Sequence, residues 1–260
     1  MNWKAIIVVI VSLFFVGLAL RPIEGPAWNE LKEREPALRL ADLEAALGQG
    51  VTIGLLGGFR AVVADLLWIR TNVIWEEQDA AVIPTMETMI RLVTTIDPRP
   101  VYFWLNGSRI IAYDMAAWRV REAGDYGNIP ETAVQRYHDE QAETGIRLLE
   151  RGREYHPDSP ELVVDIANIY LRRMENREMA AEYYRIGAEM ENAPPFVARI
   201  YAEILRQMGE NRRAYDWLVD LYPTLDPANP RDQRDRVLGR IRELEDVLEI
   251  PATQRFRPEF

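Results

Sequence analysis

Residues 195–227 read PFVARIYAEILRQMGENRRAYDWLVDLYPTLDP, and the architecture can be reasoned outward from them. Apolar residues recur at helical spacing on both sides of Gly209, so the stretch predicts two helices joined by a tight turn. Ala202 on the first helix and Ala214 on the second stand where the two must cross closely, Leu218 completes the second face, and Pro227 closes the unit. A larger side chain at either alanine would hold the helices apart. A two-helix unit of about 34 residues cannot bury its apolar face alone, so it predicts neighbouring copies against which to stack.

Copies precede it. Val163, Ile166, Ala167 and Tyr170 open a pair that continues through Ala180 or Ala181 and Tyr184 to Pro194. Trp104, Gly107, Ser108 and Ile111 open another, whose second helix, Gln141 to Tyr155, arrives only after an insertion around Ala123 to Pro130. Trp68, Thr71, Asn72 and Trp75, followed by Met86, Ile90, Val93 and Pro98, form the first, again with a small insertion. Prolines 84, 98, 100, 130, 157, 160, 194, 195, 223, 227 and 230 fall between the helical patterns. The last pattern, Arg231 to Glu249, places Val237, Leu238, Ile241, Leu244 and either Val247 or Leu248 on one face with charges opposite, as a solvating cap requires. The tail TQRFRPEF is expected to be loose or laid on a neighbour.

This layout resembles the tetratricopeptide (TPR) repeat superfamily. The stretches LLGGFRAVVADLLWIRTNVIWEEQD (55–79) and TTIDPRPVYFWLNGSRIIAYDMAAWR (94–119) further resemble those of a bacterial family of N-terminally membrane-anchored TPR proteins that carries no assigned activity. The resemblance covers much of the chain from Leu55 to Leu248. It implies an all-α fold, a TPR-like α-solenoid of antiparallel helix pairs preceded by one N-terminal transmembrane helix, and says little of function.

The N-terminal segment agrees with that expectation. Ala5 to Leu20, AIIVVIVSLFFVGLAL, carries no charge, follows Trp3 and Lys4, and stops at Arg21-Pro22. It falls slightly short of the ~20 residues of a typical span, and Trp3 and Ile23 extend it to the interfaces. A cleaved signal peptide is the alternative; Gly17 and Ala19 give a small-x-small site but a poor cleavage signal. Lys4 competes with Arg21, Lys32 and Arg34 in setting orientation, and a cytoplasmic N-terminus with a periplasmic body is the ordinary outcome for such anchors. A second span over Val51 to Ile69 is opposed by Arg60 and Asp65, each costing about 2.5–3.5 kcal/mol at the centre of a bilayer. The expected organisation is an anchor at 1–23, a tether with a short helix (Ala37 to Leu47) at 24–54, a repeat domain at 55–229 and a cap and tail at 230–260. The expected location is the bacterial inner (cytoplasmic) membrane, single-pass.

Composition narrows the chemistry. With 41 acidic against 31 basic residues the net charge is -10, which repels a phosphate backbone and argues against nucleic acid. The absence of cysteine excludes disulfides, thiolate metal sites, cysteine nucleophiles and lipidation at cysteine. Gly48, Gly50, Gly54, Gly57 and Gly58 lack the Lys-Ser/Thr of a phosphate loop, and Ile53 stands where a dinucleotide fingerprint needs glycine. His138 and His156 are the only histidines, and His138-Asp139-Glu140 lacks the cysteines a zinc deaminase would need. The carboxylates Glu76, Glu77, Asp79, Glu161, Asp165, Glu203 and Glu245 read as solvated helix faces and arginine partners. Asn106-Gly107-Ser108 matches a glycosylation sequon but lies within a predicted helix. The aromatics Trp68, Trp75, Tyr102, Phe103, Trp104, Tyr113 and Trp118 read as packing between helices, and Arg60 and Asp65 as interhelical ion pairs or caps. Catalytic, cofactor and metal sites are therefore not expected.

What remains is a binding surface. First helices of stacked pairs present a wall that faces away from their partners, which projects here onto Arg70, Val73 and Glu77; Tyr102, Asn106, Arg109 and Tyr113; Asp165, Asn168 and Arg172; and Arg199, Glu203 and Arg206. Asparagine can grip backbone amides and arginine can grip carboxylates bidentately, so the expected ligand is an acidic peptide or protein surface. The wall carries no lysine, unlike the carboxylate-clamp members of the superfamily. The function expected is a scaffold or assembly subunit of an envelope complex of integral membrane proteins, with a periplasmic peptide-binding, chaperone-like module as the alternative.

Overall fold

The computed structural model describes residues 58–258. The expected anchor, the tether with its 37–47 helix, and most of the glycine-rich run lie outside these residues. Every regular element among the described residues is helical, and no helix among them is long and apolar enough to cross a membrane. The chain divides into two compact units, one ending at Phe103 and one running from Trp104 to Phe260.

In the first unit, α1 (Arg60–Trp75) packs on α2 (Ile83–Ile96) through a short connection that includes a 3-10 turn, Ala80–Val82. Val63, Ala64, Leu67, Trp68 and Thr71 form the buried stripe of α1. Asn72, expected to face inward, is exposed because the stripe passes through Thr71 instead. Asp65 is exposed too, so it is a surface charge and not the buried partner expected of it. The opposite side of α1 leaves Val62, Leu66, Ile69 and Val73 in solvent. Thr71, Thr94 and Thr95 are buried on the two helices, and each hydroxyl donates to a carbonyl one turn back, which removes the cost of burying it. Trp68 packs on Tyr102 and Phe103 with ring centroids 5.6 and 5.4 Å apart, so Trp68 and Phe103 are core while Tyr102 lies over them at the surface.

The second unit begins within α3 (Val101–Arg109), which continues without a break through a π-helical segment, Ile110–Met115, into α4 (Ala116–Glu122). This run packs against α5 (Glu131–Tyr155). Residues 123–130, expected as an insertion, form the turn, and helix flanks it on both sides, α4 running to Glu122 and α5 starting at Glu131, ahead of the expected Gln141. The helices approach closely because α5 supplies glycine at the crossings. A Cβ on Gly145 would lie 3.0 Å from the Ser108 carbonyl oxygen, and one on Gly152 would lie 3.0 Å from the Trp104 ring.

From there each helix packs on the next: α6 (Pro160–Arg172), α7 (Arg177–Glu189), α8 (Pro195–Gln207), α9 (Asn211–Leu221) and α10 (Arg234–Val247). Pro160 and Pro195 occupy first turns, where a missing N–H costs nothing. The expected small residues are all in the core, Ala167 and Ala180 in one pair, Ala202 and Ala214 in the next. Gly209 ends α8 with φ +79°, and the Glu210 N–H closes back on the Leu205 carbonyl at 2.9 Å. After α6 the Asn176 N–H closes on the Tyr170 carbonyl at 2.9 Å, a turn one residue longer, with Glu175 taking the left-handed position at φ +50°.

The C-terminal helix differs from its expected form. It starts at Arg234, because Gln233 is left-handed and breaks the run from Arg231. Leu248 turns inward while Val247 stays exposed. The charged side is not all solvated: Glu245 is fully buried and accepts from the Phe256 backbone N–H at 2.6 Å and from Arg242 at 2.7 Å. The tail is thus held by its own chain, with Phe256 edge-on to Tyr222.

Candidate functional site

The helix period of α6 places Asp165, Asn168 and Arg172 along one side. Arg109, at the end of α3, and Tyr113 and Asp114, in the π-helical segment, face them across a recess of about 360 Å3. The structure thus brings together Arg109, Tyr113, Asp165, Asn168 and Arg172, five of the residues expected on the binding wall.

Their roles within the recess differ. Arg109 grips Asp165 bidentately, Nε to Oδ2 at 2.7 Å and Nη2 to Oδ1 at 3.0 Å. The Asp165 side chain is 10% exposed and the Arg109 side chain 52% exposed, so Asp165 is a buried partner and not the solvated carboxylate expected from sequence. The bonded carboxylate holds Arg109 above its usual pKa. Arg109 is consequently a wall-former whose fork is already filled.

Asn168 accepts from the Tyr184 hydroxyl at 2.7 Å, which orients its amide. Its two N–H donors and the Arg172 guanidinium bond no protein group among the described residues. Burial pushes the Tyr113 hydroxyl up, and Arg173 lies over its ring at 4.4 Å. The recess therefore offers one uncommitted cation and two amide donors beside a pre-set ion pair, suited to a ligand carrying carbonyl and carboxylate oxygens.

Tyr184, which sequence reasoning took only as core, sets the Asn168 orientation. Burial pushes its hydroxyl up to about 12. Unfolded tyrosine titrates near ~10, so the folded state holds this proton more tightly. The resulting stability is complete below pH ~10 and drains away as pH rises to about 12. Urea titrations of Tyr184→Phe should show a loss of about 1 kcal/mol at neutral pH and a shallower decline than wild type between pH 9.5 and 11.5, values chosen to bracket the ~10 reference. Parallel alkaline declines in the two proteins would remove Tyr184 from this role.

The other expected wall residues are arranged differently. Arg199, Glu203 and Arg206 follow one another on α8, but Glu203 is bonded by Arg206 at 2.6 and 3.0 Å and by Arg240 at 3.3 Å. The Arg206 hydrogen bonds hold the Glu203 carboxyl below its usual range. Arg199 donates to the backbone carbonyls of Arg231 and Asp232 at 3.1 and 2.9 Å. In the first unit Arg70, Val73, Glu77 and Tyr102 are each exposed, while Asn106 on α3 is half-buried and does not line the recess.

Arg236 and Arg240 on α10 were missed because the helix read as a solvated cap. A signal was present: Gly239 and Arg240 follow Arg236 at the spacings where a helical carboxylate partner would stand. His138 meets the Tyr126 hydroxyl at 3.3 Å. Among the described residues no group of histidines and carboxylates could hold a metal ion. No protein-family model matches the sequence, and no curated protein matches it.

Proposed function

We propose that this chain is a membrane-anchored scaffold of the TPR kind, an α-solenoid on a single N-terminal span, that holds integral membrane proteins of a bacterial envelope complex together without catalysing a reaction. The observation that carries the reading is the recess between the π-helical segment and α6. Its Arg109–Asp165 pair is satisfied internally, while Arg172 and the Asn168 amide are left for a ligand. The small-residue crossings at Ala167, Ala180, Ala202 and Ala214 and the left-handed turns that end both α6 and α8 support repetition of one two-helix unit. The uncharged 5–20 segment supports an inner-membrane anchor, with the helical body placed in the periplasm as in ordinary signal-anchored proteins.

Affinity purification of the tagged full-length chain in mild detergent tests this. The expected result is stoichiometric recovery of integral membrane proteins, abolished by Arg172→Glu at an unchanged melting temperature. The full-length chain purifying alone would sink the scaffold reading. A gain in melting temperature with soluble peptides would then favour the periplasmic peptide-binding alternative.

A further inference from the structure

A second concavity lies between α8 and α10. It encloses about 510 Å3, with a floor of Ile200, Leu218 and Val237, Phe196 at the rim, and Arg199 and Arg236 on its two walls. That volume is within the range that accommodates a small organic group or one or two peptide side chains.

The two arginines are the unusual part. Arg240 and Glu203 also line the cleft but are matched, Arg240 by Glu203 and Glu243, and Glu203 by Arg206 as well; away from the cleft Arg242 is matched by Glu245. Arg199 instead spends Nη1 on two backbone carbonyls, leaving Nε and Nη2. Among the described residues Arg236 bonds only the Gln233 side-chain oxygen, at 3.2 Å. The nearby acids are occupied. Asp232 is buried, with one oxygen on the Asp226 N–H at 2.7 Å and the other on Asn229 at 2.8 Å, and Glu203 is bonded as described. Burial, and then the charge of Arg236, pushes the Arg199 pKa down against the opposing charge of Asp232, so two cations lining one cleft repel each other at a cost that Asp232 offsets only in part. An anion placed between them would relieve that cost, and charge-assisted bonds to arginine are strongest with planar carboxylates.

We propose that the α8–α10 cleft binds a carboxylate carried on an apolar body, the carboxylate lying between Arg199 and Arg236 and the apolar part on Ile200, Leu218 and Val237. Its natural source, on the scaffold reading above, is a partner segment with a glutamate or aspartate beside a large apolar side chain. The cap helix is then half of a binding site as well as the end of the stack. Gln233, in its left-handed conformation at the start of α10, also lines the cleft.

Calorimetric titration of the full-length chain in non-ionic detergent tests the site with two probes, an N-acetylated, C-amidated octapeptide centred on Leu-Glu-Phe and the small acid 4-phenylbutyrate. The peptide should bind. Its Gln counterpart, and the peptide against Arg236→Gln protein, should each bind about tenfold more weakly or worse, while Arg172→Glu protein binds it normally. If only phenylbutyrate binds, with the same dependence on Arg236, the cleft stands as a site for free apolar acids and the partner-segment source is overturned. If neither probe binds, or binding ignores Arg236→Gln, the proposal is overturned. The scaffold reading fails separately, through loss of membrane partners from the wild-type chain.

Discussion

Trp104→Ala should remove about 3–5 kcal/mol of stability and lower the melting temperature of the full-length chain by roughly 6–20 °C. The ring is fully buried, stacked on Tyr155 with centroids 5.6 Å apart and an interplanar angle of 22°. It occupies the space that Gly152 leaves by having no side chain. Truncation opens a cavity between α3 and α5 that neither helix can close, since the same pair is also in contact at Gly145, against Ser108 and Ala112. Gly152→Val attacks the same contact from the other side, forcing a branched side chain into the ring. Because the two sites share one contact, the double variant Trp104→Leu with Gly152→Ala should lose less than the sum of its parts, by about 1 kcal/mol or more. Far-UV circular dichroism melts in detergent check both statements. A loss under about 1 kcal/mol for Trp104→Ala would mean that the hairpin is not clamped there.

That hairpin also shows what sequence could and could not convey. The apolar period gave helices on both sides of residues 123–130, but the repeat template has a fixed length, so an elongated pair read as an interrupted one. Gly145 and Gly152 do for α5 what Ala214 does for α9. They were passed over because glycine inside a helical pattern argues against a helix until the facing residue is known. In the last two pairs, where the sequence spacing runs at or one residue beyond the template, the crossings at Ala167, Ala180, Ala202 and Ala214 were legible. The candidate site was legible to a similar degree: the positions of Asp165, Asn168 and Arg172 follow from helix period alone. That Asp165 is buried under Arg109 does not, since the partners stand 56 residues apart and only the packing of α3 on α6 can tell a buried carboxylate from a solvated one. The cationic cleft was invisible for the same reason, because Arg199 and Arg236 meet only when α10 folds back on α8.

Glu245 is the extreme case of a charge whose role sequence hides, and Glu245→Ala should cost about 2–4 kcal/mol and free the tail. The carboxylate is fully buried and serves two donors at once, Phe256 N–H at 2.6 Å and Arg242 at 2.7 Å. Removing it deprives both of their charged acceptor, and the Tyr215 hydroxyl beside the Phe256 N–H is a neutral acceptor that replaces only part of the lost bond. Beside the Phe256 ring contact, the tail is tied by Arg255 to the Ile250 carbonyl at 3.2 Å and to Asp246 at 2.6 Å, an ion pair whose side chains are 37% and 68% exposed and which is worth little alone. Trypsin should therefore cut after Arg255 much faster in Glu245→Ala than in wild type, well before the helical body is digested. Glu245→Gln retains a carbonyl for Phe256 but not the charge that Arg242 faces, so its loss should be about half as large. Mass spectrometry of a digestion time course orders the three proteins. A tail that stays equally protected in Glu245→Ala would show that Phe256 packing alone holds it, and that the buried carboxylate serves Arg242 instead.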